Sequence, residues 1–248
     1  MTDQKTEEEK FYNLKYSPII DNNSITYNIE NLIYSNNRIT YDYFFNLISM
    51  NVLNKNVLEC GCGIEGYSQK LAGKSNHYIA IDLSEKAIKY QKDKTKQLGI
   101  NAEYYIMDIE NLNFNDRSFD VIFGKSILHH TDLKKTFSEL SRVLKSNGQA
   151  FFLEPIKYNP IVFAFRKLTP AIRTKNEHPL TIKDIGLAKT YFHKVEIEYF
   201  NFLSYITLLP YLSGKCNANL FNHLDKKFLN IIPFPILFAT IMICKFSN

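Results

Sequence analysis

Apolar residues in the central part of this chain come in short runs, separated by segments with helical spacing. Val57-Leu58 begins a first strand, and Tyr78 to Asp82, Ala102 to Met107, Phe119 to Phe123 and Gln149 to Leu153 each read as a further one. Between the first two lies a helical stretch, Tyr67 to Gly73. After the second, Ser84 has the chemistry of an N-cap, and Ala87, Ile88, Gln91, Thr95 and Leu98 fall on one helix face before Gly99 stops it. A helix from Asp132 sets Leu133, Phe137, Leu140 and Leu144 at i, i+4, i+7 and i+11, and Asn147-Gly148 ends it. Regular alternation of apolar strands with amphipathic helices predicts an α/β fold: a doubly wound, mostly parallel sheet with helices on both faces. Ligands of such sheets lie beyond the carboxyl ends of the strands.

The flanks follow other patterns. From about Phe11 to Asn54 the chain is helical in part, with Phe44, Phe45, Leu47 and Ile48 on one side and an unusual supply of tyrosines at 12, 16, 27, 34, 41 and 43. Two readings of these rings stand side by side: packing over the sheet, or a lid over the ligand crevice. After Glu154-Pro155, Asn159-Pro160, Thr169-Pro170 and His178-Pro179 bracket short helical pieces. Val195 to Phe202 and Ile236 to Cys244 read as two more strands, with helix across Leu208 to Leu229 covering the crevice mouth.

The first strand ends in Glu59-Cys60-Gly61-Cys62-Gly63-Ile64-Glu65-Gly66. Glycines at 61, 63 and 66 let the backbone turn tightly and approach a ligand that a Cβ would exclude. Such a glycine pattern alone is weak evidence. Here Glu59 closes the first strand, and Asp82 and Asp108 close the next two, so three acids converge on the edge where a ligand would sit.

Composition narrows the classes. Hydrophobic residues form 45% and charged residues 22% of the chain, ordinary for a globular protein. The net charge of +5 is spread along it, and the lysines from 86 to 96 read as a solvated helix face, so a nucleic-acid partner is not expected. Four cysteines, at 60, 62, 216 and 244, show no CxxC spacing and no histidine to complete a zinc site; no metal is expected. Met1 to Lys10 lacks a signal-peptide core, which points to the cytoplasm. Ile231 to Cys244 is apolar but short for a bilayer and broken by Pro233 and Pro235, so no membrane span is expected.

In order, Val57-Leu58-Glu59-Cys60-Gly61-Cys62-Gly63, Ile79-Ala80-Ile81-Asp82-Leu83-Ser84, Met107-Asp108-Ile109, Ser118 to Ile122, Leu128-His129-His130 and Arg142 to Gly148 resemble the class I S-adenosylmethionine-dependent methyltransferases. The likeness runs over about residues 45 to 155 and is strongest to the small-molecule, type 11-like branch that includes quinone-biosynthesis enzymes. It implies a Rossmann-like sheet of about seven strands with the last antiparallel, an N-terminal helical or lid region at 1–44, and a methyltransferase domain at 45–248. Within that domain the cofactor half is 55–155, and a small cap after strand five, with the last strands, makes up 156–248.

The resemblance also implies roles. The Gly61 to Gly66 backbone and Glu59 would meet the carboxylate and ammonium of the methionine part. Asp82 would accept the ribose hydroxyls, Asp108 the adenine amino proton, and the Ile109 N–H would meet a ring nitrogen. Leu83 and Met107 would sandwich the adenine, and the loop holding Lys125 would pass under the methionine part. Asp120 corresponds to a structural acid. A sulfonium donor is already electrophilic, so a base is needed only if the acceptor must lose a proton. Candidate bases are His130, His129, Glu154 and His178; packing roles are open for the histidines, and a turn role for Glu154. Charged residues in Arg166 to Leu180 either grip an acceptor or tie the cap down by ion pairs. The expected acceptor is a small hydrophobic or aromatic molecule, because Phe163, Phe165, Tyr191, Phe200, Phe202 and Tyr205 populate the cap, although core packing explains them equally well. Alternatives are a catalytically silent cofactor-binding protein and, further off, an NAD-dependent oxidoreductase.

Overall fold

In the computed structural model, which describes residues 3–20, 26–168, 174, 177–202 and 218–248, strand β1 (Asn56–Cys60) is buried from Val57 onward and lies inside the sheet. It pairs in parallel with β2 (His77–Asp82) on one side and β4 (Phe119–Lys125) on the other. Outward from these lie β3 (Glu103–Ile106) and β5 (Leu144–Pro155), both parallel. The sheet is completed by β7 (Ile241–Ser247), antiparallel to both β5 and β6 (Lys194–Phe200), giving the order β3-β2-β1-β4-β5-β7-β6. The seven strands and the single antiparallel last strand are those expected. The order reverses between β1 and β4, and this switch point opens the crevice where ligands of such sheets bind.

Side-chain alternation divides the core. Leu58, Ile79, Ile81, Ala150 and Phe152 face one layer, packed by Leu133, Phe137 and Leu140 of α5 (Leu133–Val143), by Ala188 of α7 (Ile182–Ala188) and by Leu229 of α8 (Ala218–Ile231). Val57, Tyr78, Ala80, Phe151 and Leu153 face the other, covered by Ile88 of α4 (Glu85–Gln97) and by Phe44 and Ile48 of α2 (Thr26–Asn51). α2 runs unbroken across residue 44 into the core, so the helical N-terminal region, begun by α1 (Asp3–Ile20), continues to Asn51. On the α5 layer, Phe137 is buried edge-on against Phe246 and Phe192, with ring centroids 5.5 and 5.9 Å away. Phe137→Ala is therefore expected to cost about 3–4 kcal/mol of stability, readable as a lower urea midpoint.

Local signals behave as their chemistry requires, with corrections at the margins. The Ser84 hydroxyl accepts the Ala87 N–H and the Asp132 carboxylate accepts the Lys134 N–H, so both helices start as expected. Leu98, expected on the buried face of α4, is exposed because the helix has ended at Gln97 and the chain turns away at Gly99, φ +65°. The first βα helix is a single turn, α3 (Ser68–Leu71), followed by a 3₁₀ turn. Leu144 belongs to β5 rather than α5: it pairs with Phe119, the next pair is Val121 with Gln149, and Asn147-Gly148 lies in the bulge between them.

Near the C-terminus, Ile236 does not open a strand. Phe234 sits at φ +59° and Pro235–Leu237 form a 3₁₀ turn, so extended structure begins only at Ile241. Of the helix expected over 208–229, the described part is α8; residues 208–217, Tyr205 and Thr169-Pro170 lie outside the described residues. Among the described residues no helix is long and apolar enough to cross a membrane.

Candidate functional site

A cavity of about 380 Å³ lies beyond the carboxyl ends of β1, β2 and β4. Its floor is the turn after β1. Gly61 and Gly63 have φ of +66° and +49°, and a Cβ on either would come within 2.9 Å of Ile127 or of the Tyr16 hydroxyl. The Gly61 and Cys62 N–H groups donate to the Ile81 carbonyl, which pins the turn to β2. Gly66 stands outside the cavity lining; a Cβ there would crowd the Gln91 amide that holds the Gly63 carbonyl.

Two acids are embedded in this floor. Asp82 accepts the Gly63 N–H and the Ser84 N–H, each at 2.8 Å, so one carboxylate clamps the glycine turn to the start of α4. Burial raises its pKa against these hydrogen bonds. Glu59 is buried, accepting the Tyr67 N–H at 2.9 Å and the Tyr78 hydroxyl at 2.7 Å. Burial pushes its pKa from the ordinary 4.5 to about 7, partly opposed by those two bonds. A raised folded-state pKa means that the stability from the protonated form is complete below about 4.5 and lost as pH rises through about 7. Glu59→Gln is accordingly expected to flatten that decline and to be more stable than the parent at pH 8, by on the order of 2 kcal/mol. Thermal melts of both proteins between pH 5 and pH 8 check this, and parallel curves would count against it.

The far wall comes from α1, whose Lys5, Glu8, Tyr12 and Tyr16 follow helical spacing and all line the cavity. Lys5 is buried between Glu110, at 2.6 Å, and Asp108, at 3.5 Å. Asp108 also accepts the Glu110 N–H. Leu83, Met107 and Ile109 supply apolar surface beside it. Lys125, at the end of β4, reaches Glu65 at 3.2 Å and lies over the Tyr41 ring, 5.0 Å from its centroid. Of the N-terminal tyrosines, 12, 16 and 41 line the cavity, whereas Tyr43 packs on Phe200 and donates to Glu198.

The four candidate bases separate. His130 lines the cavity: its Nε2 is 3.0 Å from the Tyr12 hydroxyl and its Nδ1 3.2 Å from Glu8, which also accepts the Thr174 hydroxyl. Burial, then the neighbouring His129, holds the His130 pKa below 6.5. With Glu8 accepting from Nδ1–H, Nε2 keeps a lone pair toward Tyr12. His129 is turned away, its Nδ1 2.7 Å from Glu154. Glu154, wholly buried, accepts the Ile127 and Leu128 N–H groups and so fixes the loop that aims His130; it does not line the cavity. His178 has an exposed side chain outside the lining and is tied in through its N–H to the His129 carbonyl. Asp120 is structural, accepting the Asn56 N–H and pairing with Lys145.

Where no metal site was expected, the fold gathers donor atoms of His129, His130 and Glu177 within 4.8 Å of one another. Each is already engaged by protein: His129 by Glu154, His130 by Glu8 and Tyr12, Glu177 by an ion pair to Arg166. That last pair lies within the charged segment after β5 itself and joins its two ends. Of the aromatic residues expected in an acceptor cap, Tyr191 packs on Phe137 and Phe202 stacks on Phe228, while Tyr205 and the Phe165 side chain lie outside the described residues. Lys5 and Glu8 went unread in the sequence, although their spacing to Tyr12 and Tyr16 on one helix face was a usable signal.

Residues 58–152 match the family model described as a methyltransferase domain. Sarcosine/dimethylglycine N-methyltransferase of Halorhodospira halochloris is 28% identical over 148 residues, 55% of this chain and 52% of that protein. Ubiquinone biosynthesis O-methyltransferase of Coxiella burnetii is 31% identical over 99 residues, 40% of this chain and 42% of that one. The chain thus spans about half or less of the length of the curated relatives it matches. Among solved structures, phosphoethanolamine N-methyltransferase 2 of Haemonchus contortus, in complex with phosphomonomethylethanolamine and S-adenosylhomocysteine, superposes with a TM-score of 0.62 at 16% identity. That match covers 84% of this chain and 52% of that one, and it shows a shared fold.

Proposed function

We propose that this protein, whose residues 58–152 match a methyltransferase-domain model, is an S-adenosylmethionine-dependent enzyme that transfers a methyl group by in-line displacement to a small hydrophobic or aromatic acceptor. The observation that carries the reading is the convergence of Glu59, Asp82 and Asp108 on one cavity floored by two glycines that admit no Cβ. These residues fit the cofactor: a bare backbone turn, buried acceptors, and apolar side chains at 83, 107 and 109. When bound, the cofactor supplies a methyl on a sulfonium, already electrophilic.

The protein's own part is binding, alignment and proton management. Asp82 retains acceptor capacity beyond its two backbone bonds and would hold the ribose hydroxyls. Asp108 would take the adenine amino group, with Leu83 and Met107 against the ring faces. Glu59, ionised, would offset the ammonium. Tyr12, Tyr16 and Tyr41 wall the remaining space with aromatic surface, which suits a flat apolar acceptor. α1 serves as the lid, since its polar face closes the cavity. Tyr12 and the neutral His130, oriented by Glu8, would take the acceptor's proton. We read the protein as cytoplasmic and as acting on free small molecules rather than nucleic acid.

Calorimetric titration with S-adenosylhomocysteine, run beside NAD, tests the reading. Micromolar binding of the former alone is expected, followed by transfer of labelled methyl to an aromatic acceptor panel. Binding without transfer to any acceptor would favour a silent binding protein, and preference for NAD would overturn the assignment.

A further inference from the structure

The face formed by α8 and the 3₁₀ turn after it inverts the usual order of a surface helix. Asp225, its only acid, is buried and accepts the Phe202 N–H at 2.9 Å, while Leu224, Phe228 and Ile231, one face at helical spacing, are exposed. The apolar surface continues past the helix. Ile231 is 82% and Phe234 72% exposed, with Leu237 and Phe238 beside them. Phe234 lies between Pro233 and Pro235 at φ +59°, a conformation uncommon for a bulky residue, and the turn holds its ring outward. Phe238 packs edge-on against Phe202, 5.4 Å between centroids, and its carbonyl accepts the Asn159 side-chain amide at the start of α6 (Pro160–Leu168), on which Phe163 is exposed. Phe228 and Phe238 are joined through ring contacts with each other and with Phe202, so the exposed apolar residues of this tip form a cluster.

Charge identifies what covers it. Exposed Lys227 stands on the same helix face as Leu224 and Ile231, exposed Lys167 lies over the Phe163 ring at 4.7 Å, and Lys157 is exposed just before α6. Residues 155–176 and 199–248 together contain one acidic residue, the buried Asp225, against nine lysines and arginines. An apolar tip flanked by the exposed Lys157, Lys167 and Lys227 matches an anionic lipid surface, with the rings in the acyl boundary and the ammonium groups at the phosphates.

We propose that this face docks the protein on anionic membranes, with Ile231 and Phe234 as the inserted tip. The inference is independent of the methyl-transfer reading.

The test is co-sedimentation with vesicles of phosphatidylcholine alone and with vesicles in which about a third of the lipid is phosphatidylglycerol. The parent is expected to bind the anionic vesicles at least about tenfold more tightly than the neutral ones, less so as salt rises. A double variant, Ile231→Ser with Phe234→Gly, should lose that binding by about tenfold or more. Glycine suits the positive φ at 234 and both positions are exposed, so the variant should keep the parent's melting transition. Equal sedimentation of parent and variant, or a folded parent that ignores anionic vesicles, overturns the proposal. A parent that ignores vesicles and self-associates through this face, with the variant monomeric, also overturns it, in favour of a contact between copies.

Discussion

Asp82→Ala is expected to weaken S-adenosylhomocysteine binding by on the order of 100-fold, the largest effect of any single change in the cofactor half. Two charge-assisted hydrogen bonds to the ribose, at roughly 1.5 kcal/mol or more each, account for that factor. The same carboxylate also clamps the Gly63 N–H to the Ser84 N–H, so the variant loosens the glycine turn as well. Asp82→Asn separates the two contributions. It keeps a side chain of the same shape and one acceptor oxygen, so its melting temperature should stay closer to the parent's while its affinity still falls about tenfold or more. Titration calorimetry on both variants, with melts alongside, reads the difference. Affinity unchanged in either folded variant removes Asp82 from the ribose site.

The second large effect is expected at His130. His130→Asn should lower kcat by about 100-fold or more with an acceptor that must lose a proton, leaving affinity for S-adenosylhomocysteine close to the parent's. Tyr12→Phe should lower kcat by a smaller factor, since it removes one hydroxyl of the pair while His130 remains. The pH profile supplies the readout that distinguishes a base from packing. Burial keeps the His130 pKa below 6.5, so the imidazole is neutral and able to accept at pH 7, and activity should fall only as pH drops below that value. His129→Asn should keep the acid limb but move it to higher pH, because that ring faces Glu154 rather than the cavity and its removal lifts one of the two causes that hold the His130 pKa down. A His130 variant with the parent's rate and acid limb would sink the assignment.

How far the site was legible before folding depends on the distance over which each feature is decided. The glycine turn, the strand-end acids and the caps at Ser84 and Asp132 are settled within a few residues by φ, hydrogen-bonding capacity and periodicity, and they stand where the pattern puts them. Margins failed where neighbours outvote local preference. Leu144 has helical spacing, but β5 takes it to pair with Phe119. Ile236 begins an apolar run, but two prolines and Phe234 at positive φ delay the strand to Ile241. Glu154 ends its strand as expected, yet spends its acceptors on the Ile127 and Leu128 N–H groups and on His129.

By itself, then, the sequence determined the βα alternation, the parallel sheet with its crevice and the three acids near the strand ends that line it, because periodicity and turn chemistry act over a few residues. Only the tertiary structure decided which histidine reaches the cavity and what covers it. Glu8 and His130 are 122 residues apart, and their contact exists because α1 crosses the switch point on buried ion pairs and hydrogen bonds rather than on an apolar stripe that a pattern would reveal. The exposed tip at Phe234 is likewise a tertiary outcome: the same apolar letters read as core until Asp225 turns inward and the helix shows its leucine, phenylalanine and isoleucine to the outside.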